Sequence, residues 1–322
     1  MPLNADHRPA WPTTGEGLSR RTLMLGGLAG LGAVLAGCAS DSEPPAVLPP
    51  PPSPSADMTS AETALAALEP GFGRVGVYAI DTGSGAEIRH RADERFLMCS
   101  TSKALVAAAI LRLRDREPGL LDRVIRYDRS QLLEYAPVTS QHVADGMTVS
   151  ALCDAAITVS DNTALNLLLG VLGGPAAATA FVRTLGDQVT RHDRTEPELN
   201  VGAPGDERDT STPAQLAADL RALVLGDALG GTGRDLLTGW LKANTTGGKQ
   251  IRAGVPAGWV AGDKTGSGFK GERNDIAVVW PPGRAPLVIT VFTVPADPES
   301  TRGSEIVAAA ASIVAKALVP AA

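Results

Sequence analysis

Cysteine is scarce in this 322-residue chain, which holds only Cys38, Cys99 and Cys153. No two of them form a Cys-x-x-Cys pair, and none combines with histidine at zinc-binding spacing. The four histidines, His7, His90, His142 and His192, are equally scattered and build no His-x-x-x-His helix face. No metal and no cofactor is expected. Basic residues are outnumbered, 29 Lys and Arg against 35 Asp and Glu, for a net charge of −6. With no basic stripe, nothing points to a nucleic-acid partner. Long apolar runs are also missing, since the one after Arg21 ends by Ala36, short of the roughly 20 residues a membrane-spanning helix needs.

What is present divides the chain into three. The twin arginines Arg20 and Arg21, followed by the uncharged apolar run, have the layout of a twin-arginine export signal. The run ends Leu35-Ala36-Gly37-Cys38, which resembles the lipobox of bacterial lipoproteins, so residues 1–37 are expected to be a signal and Cys38 to be lipidated. Residues 38–56 carry prolines at 44, 45, 49, 50, 51, 52 and 54, a density that enforces an extended, semi-rigid spacer. This layout places the protein outside the cytoplasm, anchored on the outer face of the cytoplasmic membrane only through the lipid at Cys38. Nothing in it suggests other than a monomer.

Residues 57–322 form the expected folded domain. A helix over Thr59–Glu69 precedes a hairpin of strands Arg74–Asp81 and Ala86–His90 around a Thr82–Gly85 turn. From Ser100 to about Thr245 the pattern is helical. Strands follow at Trp259–Thr265, Asp275–Trp280 and Leu287–Thr293, then a helix at Ser304–Leu318 with Ile306, Ala310, Ile313 and Ala317 on one face. Strands at both ends with helices between them imply an α+β fold. Its antiparallel sheet is built from both termini, an α/β lobe of residues 57–98 and 243–322, with an all-helical lobe of residues 99–242 inserted.

The segment Cys99-Ser100-Thr101-Ser102-Lys103 opens a run of strong helix formers whose stripe Val106, Ile110, Leu113 predicts one buried face. Residues i and i+3 of a helix share a face, so Lys103 can accept or shuttle the Ser100 proton. Ser100 could equally serve only as a helix cap. A second Ser-x-x-Lys, Ser267 to Lys270, has a glycine after the serine that disfavours a helix. Ser160-Asp161-Asn162 lies between two helices and reads either as a cap or as a proton relay (Ser160) beside an amide able to hold a carbonyl (Asn162). Lys264-Thr265-Gly266-Ser267 ends a strand, where a ligand could pair with main chain and Lys264, Thr265 and Ser267 could meet an anion. Gly266 to Gly271 also fits Gly-x-Gly-x-x-Gly, but it leads into a strand and not a helix, which excludes a dinucleotide loop. The low-periodicity loop from Arg194 through Glu196 and Asn200 has ends that Arg194 and Asp209 could pin.

In this order, Ser-Thr-Ser-Lys, Ser-Asp-Asn, Glu-x-x-Leu-Asn and Lys-Thr-Gly resemble a class A serine β-lactamase over residues 57 to 322. The resemblance implies a small-molecule β-lactam substrate. It makes Ser100 the nucleophile, Lys103 and Glu196 the two candidates for the acylation base, and Glu196 with Asn200 the pair that activates the deacylating water. Ser160 would relay a proton to the leaving nitrogen. The backbone N–H groups of Ser100 and Ser267 would form the oxyanion hole. Lys264, Thr265, Ser267 and Arg273 would hold the substrate carboxylate, Asn162 its side-chain amide, and Tyr135 would line the entrance. Arg273 takes the carboxylate role because Gln250 stands where many relatives carry an arginine. Some relatives pair a cysteine at the place of Cys153 or Cys99, but the partner places here are Ala107 and Gly268, so both thiols are expected free and buried. A non-hydrolysing β-lactam sensor or a D,D-peptidase shares Ser-x-x-Lys and Lys-Thr-Gly; Glu196 is the feature that separates a hydrolase from both.

Overall fold

A computed structural model describes residues 55–319; the expected signal, Cys38 and all but the last two residues of the spacer lie outside the described residues. The elements in order are α1 (Ser55–Ala66), β1 (Gly73–Asp81), β2 (Glu87–His90), β3 (Phe96–Leu97), α2 (Ser102–Arg114), β4 (Val124–Ile125), β5 (Met147–Thr148), α3 (Val149–Thr158) and α4 (Asn162–Leu172). They continue as α5 (Pro175–Thr184), β6 (Thr210–Ser211), α6 (Pro213–Val224), α7 (Gly231–Ala243), α8 (Ile251–Gly254), β7 (Val260–Ser267), β8 (Arg273–Trp280), β9 (Leu287–Pro295) and α9 (Gly303–Leu318).

The main sheet has the order β2-β1-β9-β8-β7, antiparallel throughout. Its first and last long strands, β1 and β9, are central neighbours, in register from Gly73 opposite Pro295 to Asp81 opposite Leu287. Successive side chains on a strand point to opposite faces, and here both faces are apolar. Val75, Val77 and Ala79 of β1 join Ala277, Val279, Ile289 and Val291 in a core closed by Leu65 of α1 and by Val307, Ala310 and Val314 of α9. Tyr78 and Ile80 join Ile276, Val278, Val288 and Phe292 in the other core, shared with the helical lobe. The fold is thus the expected α+β arrangement, with helices on both sides of one sheet.

Two features depart from the sequence pattern. The Val106, Ile110, Leu113 stripe predicts one buried face on α2, yet every residue from Ser102 to Leu111 is buried. The remaining positions are mostly alanine or leucine, so no polar face exists to expose, and α2 becomes the axis of the lobe, packed by α3, α4, α5 and α7. The predicted all-helical stretch also contains three short strands: β4 pairs with β5, and β6 pairs with β3, which lies just before the stretch. The second pair anchors residues 96–97 to residues 210–211, at the end of the loop that carries Glu196.

Candidate active site

Ser100 sits in a 3-10 turn, Cys99–Thr101, that leads directly into α2. Cys99 has φ +50°, a left-handed conformation that costs a residue with a Cβ about 1–2 kcal/mol. The turn is wedged against the edge strand: a Cβ at Gly266 would lie 2.8 Å from Met98 O and 3.2 Å from Cys99 Cβ. Glycine at 266 is therefore what lets β7 run alongside the nucleophile's turn. Cys99 and Cys153 are both buried free thiols, and burial pushes both well above the ordinary thiol range.

One turn of helix places Lys103 Nζ 2.8 Å from Ser100 Oγ, as the i, i+3 spacing requires. The same ammonium group lies 2.9 Å from Glu196 Oε1, and Ser100 Oγ donates to that oxygen at 3.3 Å. Lys103 also reaches Asn162 Oδ1 at 2.6 Å and the Ser160 carbonyl and hydroxyl at 3.0 and 3.2 Å. Lys103 and Glu196 are both fully enclosed. Burial pulls the Lys103 pKa down, against the pull of Glu196. A lysine that is desolvated and touching a carboxylate exchanges its proton readily.

Glu196 is held from several sides. Asn200 donates from Nδ2 to Oε2 at 2.5 Å, and Asn166 of α4 clasps its main chain, accepting from Glu196 N and donating to Glu196 O, both at 2.9 Å. The Glu196–Pro197 peptide is cis. Arg194 Nε meets Asp209 Oδ2 at 2.6 Å, pinning the loop ends as expected. Asp209 Oδ1 further accepts the N–H groups of residues 193 and 194.

Ser160 has φ +61° and projects its hydroxyl between two buried lysines, 3.2 Å from Lys103 Nζ and 3.1 Å from Lys264 Nζ. The Ser160-Asp161-Asn162 triplet caps a helix and at the same time meets the buried lysines. Asp161 caps α4 through Ala164 N and also accepts the N–H groups of Val138 and Thr139, which fastens the loop bearing Tyr135. Ser160 and Asn162 meanwhile face the lysines.

Lys264 is wholly buried on β7, with its pKa lowered to about 7 by burial first and by Lys103 second. Behind it lie two carboxyl groups, Asp263 and Asp275, diagonal neighbours across β7 and β8. Burial raises both, and the proximity of Asp263 adds to the rise at Asp275. Asp263 retains Arg252 Nε and Asn244 Nδ2 as partners, so the pair carries its charge on Asp263. Thr265 Oγ1 is fixed by Thr246 Oγ1 at 2.5 Å.

These groups are arranged around one cleft of about 790 Å³. The helical side supplies Ser100, Tyr135, Ser160, Asn162 and Asn200; the sheet side supplies Thr265, Ser267 and Arg273. Lys103, Glu196 and Lys264 form its buried floor. Tyr135 is half exposed at the rim, where Phe269 is also exposed. Eight of the site residues named from sequence line this cleft, Lys103, Glu196 and Lys264 bond to that lining from behind, and Arg194 and Asp209 brace the loop. Sequence reasoning missed Asn166, Thr246 and the Asp263–Asp275 pair. Asn166 did leave a signal, as the one polar side chain in the run Ala164 to Leu169.

A cleft that sets a serine against a buried lysine and a buried glutamate, with a second lysine facing solvent-accessible hydroxyls, is arranged for acyl transfer to serine followed by hydrolysis. The sequence pattern of the Beta-lactamase enzyme family matches residues 60–318. The chain is 54% identical over 274 residues to a β-lactamase of Amycolatopsis lactamdurans, covering 85% of this chain and 88% of that one. It is 52% identical over 269 residues to β-lactamase AST-1 of Nocardia asteroides, covering 81% and 87%. Among solved structures, a class A β-lactamase from Mycobacterium abscessus superposes with a TM-score of 0.79 at 61% identity, over 80% of this chain and 99% of that one.

Proposed function

The chain belongs to the class A serine β-lactamase family and hydrolyses the β-lactam amide, conferring resistance, and from that premise we propose how its own residues divide the work. Ser100 Oγ attacks the lactam carbonyl and passes its proton to the Lys103–Glu196 pair, whose members lie 2.8 and 3.3 Å from that oxygen. The backbone N–H groups of Ser100 and Ser267 receive the developing oxyanion, a contribution of about 10²–10³ in rate per donor. Ser160 Oγ, poised between the two lysines, hands a proton to the departing nitrogen. Lys264, Thr265, Ser267 and Arg273 hold the substrate carboxylate, Asn162 takes the side-chain amide, and Tyr135 bounds the entrance. Glu196, oriented by Asn200, then deprotonates the water that cleaves the ester.

The observation that carries this reading is the double claim on Ser100 Oγ by Lys103 and Glu196. One base suffices to form an acyl-enzyme; the second, on a braced loop, serves to clear it. Incubation with a chromogenic cephalosporin, following colour and protein mass together, tests the scheme. Many equivalents of colour with only transient mass gain are expected; one equivalent with a lasting mass increase would sink it.

The twin-arginine layout and the Cys38 lipobox support an exported protein, held by a lipid on the outer face of the cytoplasmic membrane and kept off that surface by the proline-rich spacer. Cys38→Ala is expected to release the protein from the membrane fraction. Retention of that variant on membranes would remove the lipid anchor from the scheme.

A further inference from the structure

Away from the cleft, a second pair of buried acids has no part in the reaction. Asp187, just beyond α5, is fully buried, and so is Asp219 on α6. Asp187 Oδ1 accepts from Val189 N at 2.6 Å and Thr190 N at 2.9 Å, with Arg183 Nη1 3.7 Å away. Asp219 Oδ1 accepts from Gln215 Nε2 at 3.1 Å. The remaining oxygen of each, Oδ2, has no donor, although the two carboxyl groups adjoin. Two facing carboxylates stripped of water and donors would repel each other and leave two acceptors unsatisfied. A single proton solves both problems, because a carboxylic acid donates where a carboxylate accepts.

We propose that Asp187 and Asp219 share one proton, carried by Asp219, and that this pair positions the stem of the loop bearing Glu196 against α6. The proton is placed on Asp219 because its only partner is one neutral amide, whereas Asp187 accepts from two N–H groups beside Arg183. In agreement, burial and then the neighbouring Asp187 hold the Asp219 carboxyl well above its usual range. The other titratable groups here are accounted for. His192, in the loop, is lowered by burial to about 4 and is neutral at physiological pH. Asp193 and Asp209 are engaged by Arg191 and Arg194. From the acid pair the stem rises as a ladder: Thr190 Oγ1 to Ser211 Oγ at 2.7 Å, Arg191 N to Thr210 O at 3.0 Å, then the Asp209 clasp, then Glu196.

The functional half of this inference rests on the deacylating role given to Glu196, and the experiment separates the two. Melting temperature against pH and acyl-enzyme accumulation with a penicillin are measured for the full chain, Asp219→Asn, Asp219→Ala and, as reference, Glu196→Gln. The folded protein holds a proton that the unfolded chain releases near pH 4. Stability from this group is therefore greatest below that value and is lost as pH rises toward the folded pKa. Asparagine donates to Asp187 with no proton to lose, so the melting temperature of Asp219→Asn should gain on the wild type steadily as pH rises above about 4, with turnover unchanged. Asp219→Ala should melt lower and slow deacylation about fivefold, with single-turnover acylation intact. A gap between Asp219→Asn and wild type that does not change with pH, or an Asp219→Asn as impaired as Asp219→Ala, overturns proton sharing. Accumulation in Glu196→Gln without any in Asp219→Ala overturns the positioning role. No accumulation in Glu196→Gln itself overturns the reading of Glu196 on which that role rests.

Discussion

Two buried lysines reach Ser160 Oγ at nearly equal distance, and their surroundings differ in kind. Lys103, on the central helix, has its counter-charge in contact, Glu196 at 2.9 Å. Lys264, on the edge strand, has oxygen partners in Ser160 and the Thr265 carbonyl, while Asp263 and Asp275 act on it through space. An ammonium group touching a carboxylate is equipped to pass protons within the protein. One whose charge is only partly answered is equipped to take an anion from outside, and in the scheme we propose the substrate carboxylate completes at Lys264 what Glu196 completes at Lys103. The fold follows the same division: Lys103 lies on the central helix of the helical lobe and Lys264 on the edge strand of the sheet.

The sharpest way to break this contrast is Glu196→Ala. Loss of a general base costs about 10²–10⁴ in rate, so turnover of good penicillins should collapse and mass spectrometry should find the acyl-enzyme. Rapid steady turnover in that variant would show that Glu196 is misassigned. Next in size is the difference between the two lysine deletions. Lys103→Ala strands an enclosed carboxylate and should cost about 3–5 kcal/mol of stability, read by denaturant titration. Lys264→Ala leaves only the neutral acceptors Ser160 Oγ and Thr265 O without their donor and strands no contacting charge, so it should cost clearly less, while raising KM for carboxylate-bearing substrates. Equal destabilisation would erase the comparison.

A pH profile sharpens it further. With a pKa of about 7, Lys264 loses its charge as pH rises through neutrality, so kcat/KM for carboxylate-bearing β-lactams should fall on the alkaline side. The fall should lie mainly in KM, because a bound carboxylate restores the proton, and a substrate lacking the carboxylate should show little of it. Arg273→Ala should have a smaller effect, raising KM for the same substrates about five- to tenfold; an unchanged KM would remove Arg273 from the site. Smallest of all, Tyr135→Ala at the half-exposed rim should alter KM about twofold.

Chemistry that lies within a few consecutive residues is legible in the sequence alone. Ser100 and Lys103 are one helical turn apart, and Lys264, Thr265 and Ser267 share a strand end, so spacing places them together. The strands β1, β8 and β9 announce themselves as β-branched runs, and their position at the two ends of the chain implies the shared sheet. What stays hidden depends on neighbours distant in sequence. Asn166 matters because α4 passes behind the loop, and Thr246 because the turn after α7 brings its hydroxyl onto Thr265 of β7. Asp263 and Asp275 become a pair only when β7 and β8 align. The full burial of α2 is hidden for a different reason: alanine suits an exposed helix face and a crowded interior equally well.

The register that joins Gly73 to Pro295 also fixes an order of events. A nascent chain that has reached β8 still lacks the strand that must slot between β1 and β8, so its sheet stays in two halves, and the apolar face that α9 closes stays open. Contacts spanning most of the sequence make closure slow compared with local helix formation. Activity should therefore appear late and abruptly, when the last strand and α9 emerge, and a chain that stops short of Leu287 should be aggregation-prone rather than weakly active.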